Sequence, residues 1–140
     1  MTVSTFASGT KTRAGTTEYR PGICNIGPEE IARRRMAGHV GLLATVVLFL
    51  VLVAFDAPPL LRLIVALPAA VSASGYLQAW LRFCAGFGSR GVFNFGRLGR
   101  MEEVADADAR RRDRTRANQI GLASLLIGAV VGIVAAILPV

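Results

Sequence analysis

Three stretches of this chain carry no acidic or basic side chain except one histidine, and each is long enough to cross a bilayer. Met36 to Phe55 is 20 residues interrupted only by His39, Leu63 to Leu81 is 19, and Ala117 to Val140 is 24. A helix rises about 1.5 Å per residue, so about 20 residues cross a hydrocarbon core about 30 Å thick. A water-soluble amphipathic helix keeps charge on one side, whereas Thr45 to Phe55 offers none on any side. Backbone groups in lipid must be paired within the segment, which for runs this long requires helix. The sequence therefore predicts an all-α integral membrane protein with three transmembrane helices, over about 36–55, 62–81 and 119–138.

The basic residues predict orientation. Six of the 16 Lys and Arg precede the first span and nine lie between the second and third; only Arg62 falls in the first connection. Three spans put the N-terminus and the second connection on one side, and the positive-inside tendency makes that side the cytoplasm. The expected topology is N-in and C-out, with the turn Asp56-Ala57-Pro58-Pro59 facing outward. The 15 arginines to one lysine suit a GC-rich bacterial genome, so the expected location is a bacterial inner membrane, crossed several times. The high pI follows from this topology, and no nucleic-acid-binding module is visible.

Residues 1–27 read as a cytoplasmic N-terminal segment, partly disordered, because residues 1–20 are rich in Ser, Thr, Gly and Ala. About 35 polar residues precede the first apolar run, which does not fit a cleaved secretory signal. Residues 28–140 read as the membrane domain, with Pro28-Glu29-Glu30 starting its first helix. Pro68 predicts a kink in the second span, and Tyr76 and Trp80 mark the head-group level. The connection 82–118 has two parts. Phe83 to Gly99 interleaves Phe and Gly; it reads as too Gly-rich for regular helix and as a loop at the interface or packed under the helices. Met101 to Asn118 reads as a polar cytoplasmic extension of the third helix, supported by Asp106–Arg110 and Asp108–Arg112 pairs at i,i+4.

Candidate functional residues are few. Ser124, Gly128, Gly132 and Ala136 recur every four residues and predict a close helix-packing face. Arg33, Arg34, Arg35, Arg110, Arg111, Arg112 and Trp80 are the expected contacts with anionic lipid or partner subunits. His39, between Gly38 and Gly41, is the one residue that could ligate the metal of a haem or chlorophyll. Arg35, one turn earlier, is bulky where a macrocycle needs a small side chain, and no cofactor is expected. Gly86-Phe87-Gly88-Ser89-Arg90-Gly91 matches a dinucleotide-binding pattern by letter but lacks the strand before it. Cys24 and Cys84 fall on the expected cytoplasmic side, where thiols stay reduced; with His39 they fall short of a structural zinc site.

No acidic or basic residue lies deep within a span, where ion-coupled transporters place them. No catalytic set is legible and no small-molecule substrate is implied. The expectation is a non-catalytic accessory subunit of a larger bacterial membrane complex, photosynthetic or respiratory by analogy, whose partners are other membrane subunits and anionic lipids. The alternatives are a pigment- or haem-binding protein using His39 and a holin-like self-assembling pore.

Overall fold

The computed structural model describes residues 19–98 and 101–140, which are mostly helical. The expectation of disorder over residues 1–20 lies outside the described residues, apart from Tyr19 and Arg20. The chain divides into two compact units. One comprises residues up to Ala32 together with Ala79–Asn118, the other Arg33–Gln78 together with Gln119–Val140.

Helix α1 is Pro28–Ala54, with Pro in the first turn and Glu29 and Glu30 near the positive end of its dipole. It stops in a Schellman arrangement. Asp56 takes the left-handed conformation at φ 53°, its N–H reaches the Val53 carbonyl at 3.0 Å, and the Ala57 N–H reaches Leu52 at 2.8 Å. The two prolines that follow cannot continue the helix.

The second apolar helix is built in three parts: α2, Pro59–Arg62; a 3-10 turn, Leu63–Val65; and α3, Ala66–Leu81. Pro68 was expected to kink the span. It lies instead in the first turn of α3, where its missing N–H matters least, and the tightened turn sits just ahead of it. Helix α5, Ala107–Ile137, is continuous from its polar start into the third apolar stretch. The extension expected from Met101 begins only at Ala107, because Glu102 and Glu103 are drawn into backbone pairing with Val92 and Phe93. Its N-cap is Asp106, whose carboxylate accepts the Ala109 N–H at 2.9 Å. The three helices Pro28–Ala54, Pro59–Leu81 (including the 3-10 turn) and Ala107–Ile137 are long and apolar enough to cross a membrane.

In the second unit α3 touches α1 on one side and α5 on the other. At the α1 crossing, a Cβ on Gly75 would fall 2.5 Å from the Gly38 nitrogen and 2.7 Å from the Arg34 carbonyl oxygen. Ser72 donates to the Gly38 carbonyl at 2.9 Å across the same crossing. At the α5 crossing, a Cβ on Gly128 would lie 2.7 Å from the Ala66 oxygen and 2.7 Å from the Ala70 Cβ. Both contacts depend on small residues, the usual basis of helix pairing in lipid.

In the first unit the Phe/Gly segment is neither wholly loop nor wholly helix. Ala85–Arg90 forms a short helix, α4, ended by Gly91 in the left-handed conformation. Val92–Phe93 (β1) pairs antiparallel with Glu102–Glu103 (β2). The chain is therefore not purely α, and the expectation of no regular helix over 83–99 is corrected. Pairing two residues with two others, Val92 with Glu103 and Phe93 with Glu102, leaves no periodic signal in the sequence. The phenylalanines supply the core of this unit: Phe83 and Phe87 are buried, and Phe87 packs with Ile26 and Cys84, flanked by Ile31 and Val92.

Candidate functional site

Two fully buried asparagines hold the first unit together. Asn25 folds its side chain onto the backbone of Cys84, accepting that N–H at 2.7 Å and donating to that carbonyl at 3.2 Å. Its own N–H donates to the Arg82 carbonyl, and its carbonyl accepts from the Asn94 N–H. Asn94 donates to Glu30 at 3.2 Å and to the Arg97 carbonyl at 2.8 Å, and accepts the Gly96 N–H at 2.9 Å. One amide presents a donor and an acceptor side by side, so it can replace a strand neighbour where no regular sheet exists.

Asp113 is also fully buried, on the polar part of α5. Its carboxylate accepts the Tyr19 hydroxyl at 2.6 Å and the Gly22 N–H at 2.6 Å. Arg116 donates to the Gly22 carbonyl at 2.8 Å. Tyr19 stacks on Phe93 with centroids 4.7 Å apart. Burial, followed by the hydrogen bond and negative charge of Asp113 and by the charge of Asp106, pushes the Tyr19 hydroxyl pKa well above its usual value.

This framework fixes a basic surface. Arg90, Arg97, Arg111, Arg112 and Arg114 are exposed, and Arg110 and Arg116 are half-buried. The expected i,i+4 pairs on α5 do not form. Arg110 donates to the carbonyls of Val104 and Ala105 at 2.6 and 3.0 Å, and Asp108 meets Arg111 at 3.8 Å in the open. The backbone carbonyls ahead of a helix are closer to Arg110 than the Asp106 carboxylate, which is already turned onto the Ala109 N–H. In the second unit Arg33 and Arg35 are exposed and Arg34 is half-buried. Trp80 is 79% exposed.

Ser124, Gly128 and Gly132 are buried and Ala136 is half-buried. Gly128 and Gly132 meet Ala66, Ala70 and Leu63 of this same chain, and Ser124 turns its hydroxyl onto the Ile120 carbonyl at 2.8 Å. His39 shares a 2.6 Å hydrogen bond between its Nδ1 and the Tyr76 hydroxyl, with the rings edge to face. The neighbouring glycines, expected to make room for a macrocycle, are occupied instead: a Cβ on Gly38 would strike the Tyr76 ring, and one on Gly41 would strike Ser72. Cys24 and Cys84 are buried and are not joined in a disulfide. Among the described residues no group of three or more His, Cys, Asp or Glu could hold a metal ion.

Sequence reasoning missed Tyr19, Asn25, Asn94, Asp113 and Arg62. Only Arg62 carried a usable signal, as a lone guanidinium beside a Pro-Pro turn at the edge of an apolar run.

In comparisons with protein-family models, with curated proteins and with solved structures, the chain matches none.

Proposed function

We propose that this chain is a non-catalytic accessory subunit of a larger bacterial inner-membrane complex, photosynthetic or respiratory by analogy, with its first unit in the cytoplasm. The observation that carries the reading is the buried polar framework of that unit. Asn25, Asn94 and Asp113 are wholly enclosed and hydrogen-bonded. Such satisfied polar interiors specify one rigid arrangement. A segment that served only to connect two spans would need no such framework. A surface that presents arginines in fixed positions to a partner's carboxylates does need one, because guanidinium–carboxylate recognition is planar and bidentate. The exposed apolar faces of α1, α3 and α5 suit lipid or neighbouring subunits, and 15 of the 16 basic residues fall on the side assigned to the cytoplasm.

Mild-detergent extraction from native membranes, followed by a native gel with mass spectrometry, tests this reading. Co-migration with a large assembly in fixed ratio is the expected result. A small homo-oligomer, with membranes made leaky by expression alone, would replace the subunit by the pore. His39 as a haem or chlorophyll ligand is the remaining alternative; its Nδ1 bond to Tyr76 resembles the orienting bonds of ligating histidines. An absorption spectrum unchanged in His39→Ala would sink it.

A further inference from the structure

We infer that the second unit carries a binding site for a single anionic phospholipid, in the crevice that α1 and α5 form over the face of α3. This goes beyond the subunit reading and stands whether or not the chain has protein partners.

The crevice has a volume of about 440 Å³, within the roughly 300–1,000 Å³ typical of small-ligand sites. It has a polar end and an apolar end. Arg34, Ser74 and Gln78 line the first, Ala70 and Leu125 the second. From Gln78 to Ala70 the floor runs about 12 Å along α3, at about 1.5 Å per residue. Its origin lies in the two small-residue crossings. α3 holds α1 through Gly75 and α5 through Gly128 and Gly132, and small residues at the floor and wall leave the space between those contacts unfilled.

Charge and size together select the occupant. The polar end lies beside an arginine triplet, Arg33 to Arg35, on the same helix. Juxtamembrane arginines attract lipid phosphates, and Gln78, whose Nε2 donates to the Ser74 carbonyl at 3.1 Å and hydroxyl at 2.8 Å, fixes the floor beside Arg34. A partner helix, about 10–12 Å across with its side chains, is too wide to enter a space of this volume, whereas one acyl chain fits it. The head group then meets Arg34 and the chain runs toward Ala70 and Leu125.

One residue makes the site testable without disturbing the fold. Gly121 lines the crevice, and a Cβ built on it meets nothing within 4 Å. Gly121→Leu therefore places a side chain in the crevice from a position whose Cβ is unopposed. The full chain in detergent is titrated with phosphatidylglycerol, and separately with phosphatidylcholine, and retained lipid is counted by native mass spectrometry. The expected result is one phosphatidylglycerol per chain, lost to background in Gly121→Leu, and weakened roughly fivefold in Arg34→Gln, as for one phosphate-facing arginine. Circular dichroism should show both variants as helical as the parent. Retention unchanged in Gly121→Leu overturns the site. Equal retention of phosphatidylcholine, or an unaffected Arg34→Gln, overturns its anionic selectivity. A protein partner lost from Gly121→Leu while lipid binding persists would assign the crevice to a helix and not to a lipid.

Discussion

Arg62 Nη1 donates to the Leu138 main-chain oxygen at 3.1 Å, joining residues 76 positions apart in sequence. The same guanidinium donates through Nη2 to the Val140 oxygen at 2.6 Å and through Nε to Ala57 at 3.0 Å. Helix α5 ends at Ile137 with carbonyls that have no helical partner. Arg62, only 6% exposed, takes instead the two carbonyls just past that end, Leu138 and Val140, and ties them to the turn after α1.

Arg62→Met keeps the apolar stem and removes every donor. Hydrogen bonds to charged groups contribute about 1.5–3 kcal/mol each and are not additive. We expect a loss of about 3 kcal/mol in thermal unfolding in detergent, with Arg62→Lys between the two. An unchanged melting profile in Arg62→Met would show that water or lipid satisfies the Leu138 and Val140 carbonyls equally well.

Two glycines of the same helix should respond oppositely to alanine. Gly128→Ala drives a methyl into Ala66 and Ala70 and should cost about 1–3 kcal/mol, as overpacking does. Gly121→Ala meets open space and gains helix propensity worth up to about 1 kcal/mol. Equal stabilities would mean that the α3–α5 crossing is looser than its geometry.

Asn25→Asp turns the donor facing the Cys84 carbonyl into a second acceptor, in a site with no exposure. An unsatisfied buried group costs about 1–3 kcal/mol, more when charged. Amide exchange in Ala85–Arg90 and Val92–Phe93 should accelerate while α1 beyond Gly41 stays protected. Uniform protection would remove Asn25 from its assigned role.

Tyr19 predicts a loss of stability in alkali. Its hydroxyl pKa is raised above its usual value of about 10, so above about pH 10 the unfolded chain releases a proton that the folded chain retains. The contribution is complete below pH 10 and declines as the pH rises further. Tyr19→Phe lacks the hydrogen bond to Asp113 and should be about 1–2 kcal/mol less stable at neutral pH. Its stability should also fall less than the parent's above pH 10. Parallel curves for the two would remove the linkage.

The proposed orientation is open to a direct test. A reporter fused after Val140 should read as extracytoplasmic, and one inserted at Glu103 as cytoplasmic. The reverse pair of signals would invert the topology and move the arginine surface to the other side of the membrane.

The sequence by itself determined the elements that follow from local chemistry. Runs of about 20 uncharged residues have no stable alternative to helix in lipid, so the three long apolar helices were legible without coordinates. The start of α1 at Pro28 and the polar extension of α5 from Ala107 onward were legible for the same kind of reason, since caps and dipoles act within one turn. The strand at Glu102–Glu103, where helix was expected, was not. Contacts between distant positions were not. Gly38 and Gly41 suggest room beside His39 until α3 is placed against them, and nothing in the neighbourhood of Asn25 announces Cys84. The Phe/Gly segment reads as a loop without regular helix because its order comes from Ile26 and Asn25, both far from it in sequence, and from the ribbon to Glu102–Glu103, paired two residues at a time. Tertiary structure alone decided which small residues face each other, where Arg62 spends its donors and where a crevice stays open. Those outcomes depend on the crossing of helices, and a crossing is set by pairs of surfaces that no single stretch of sequence contains.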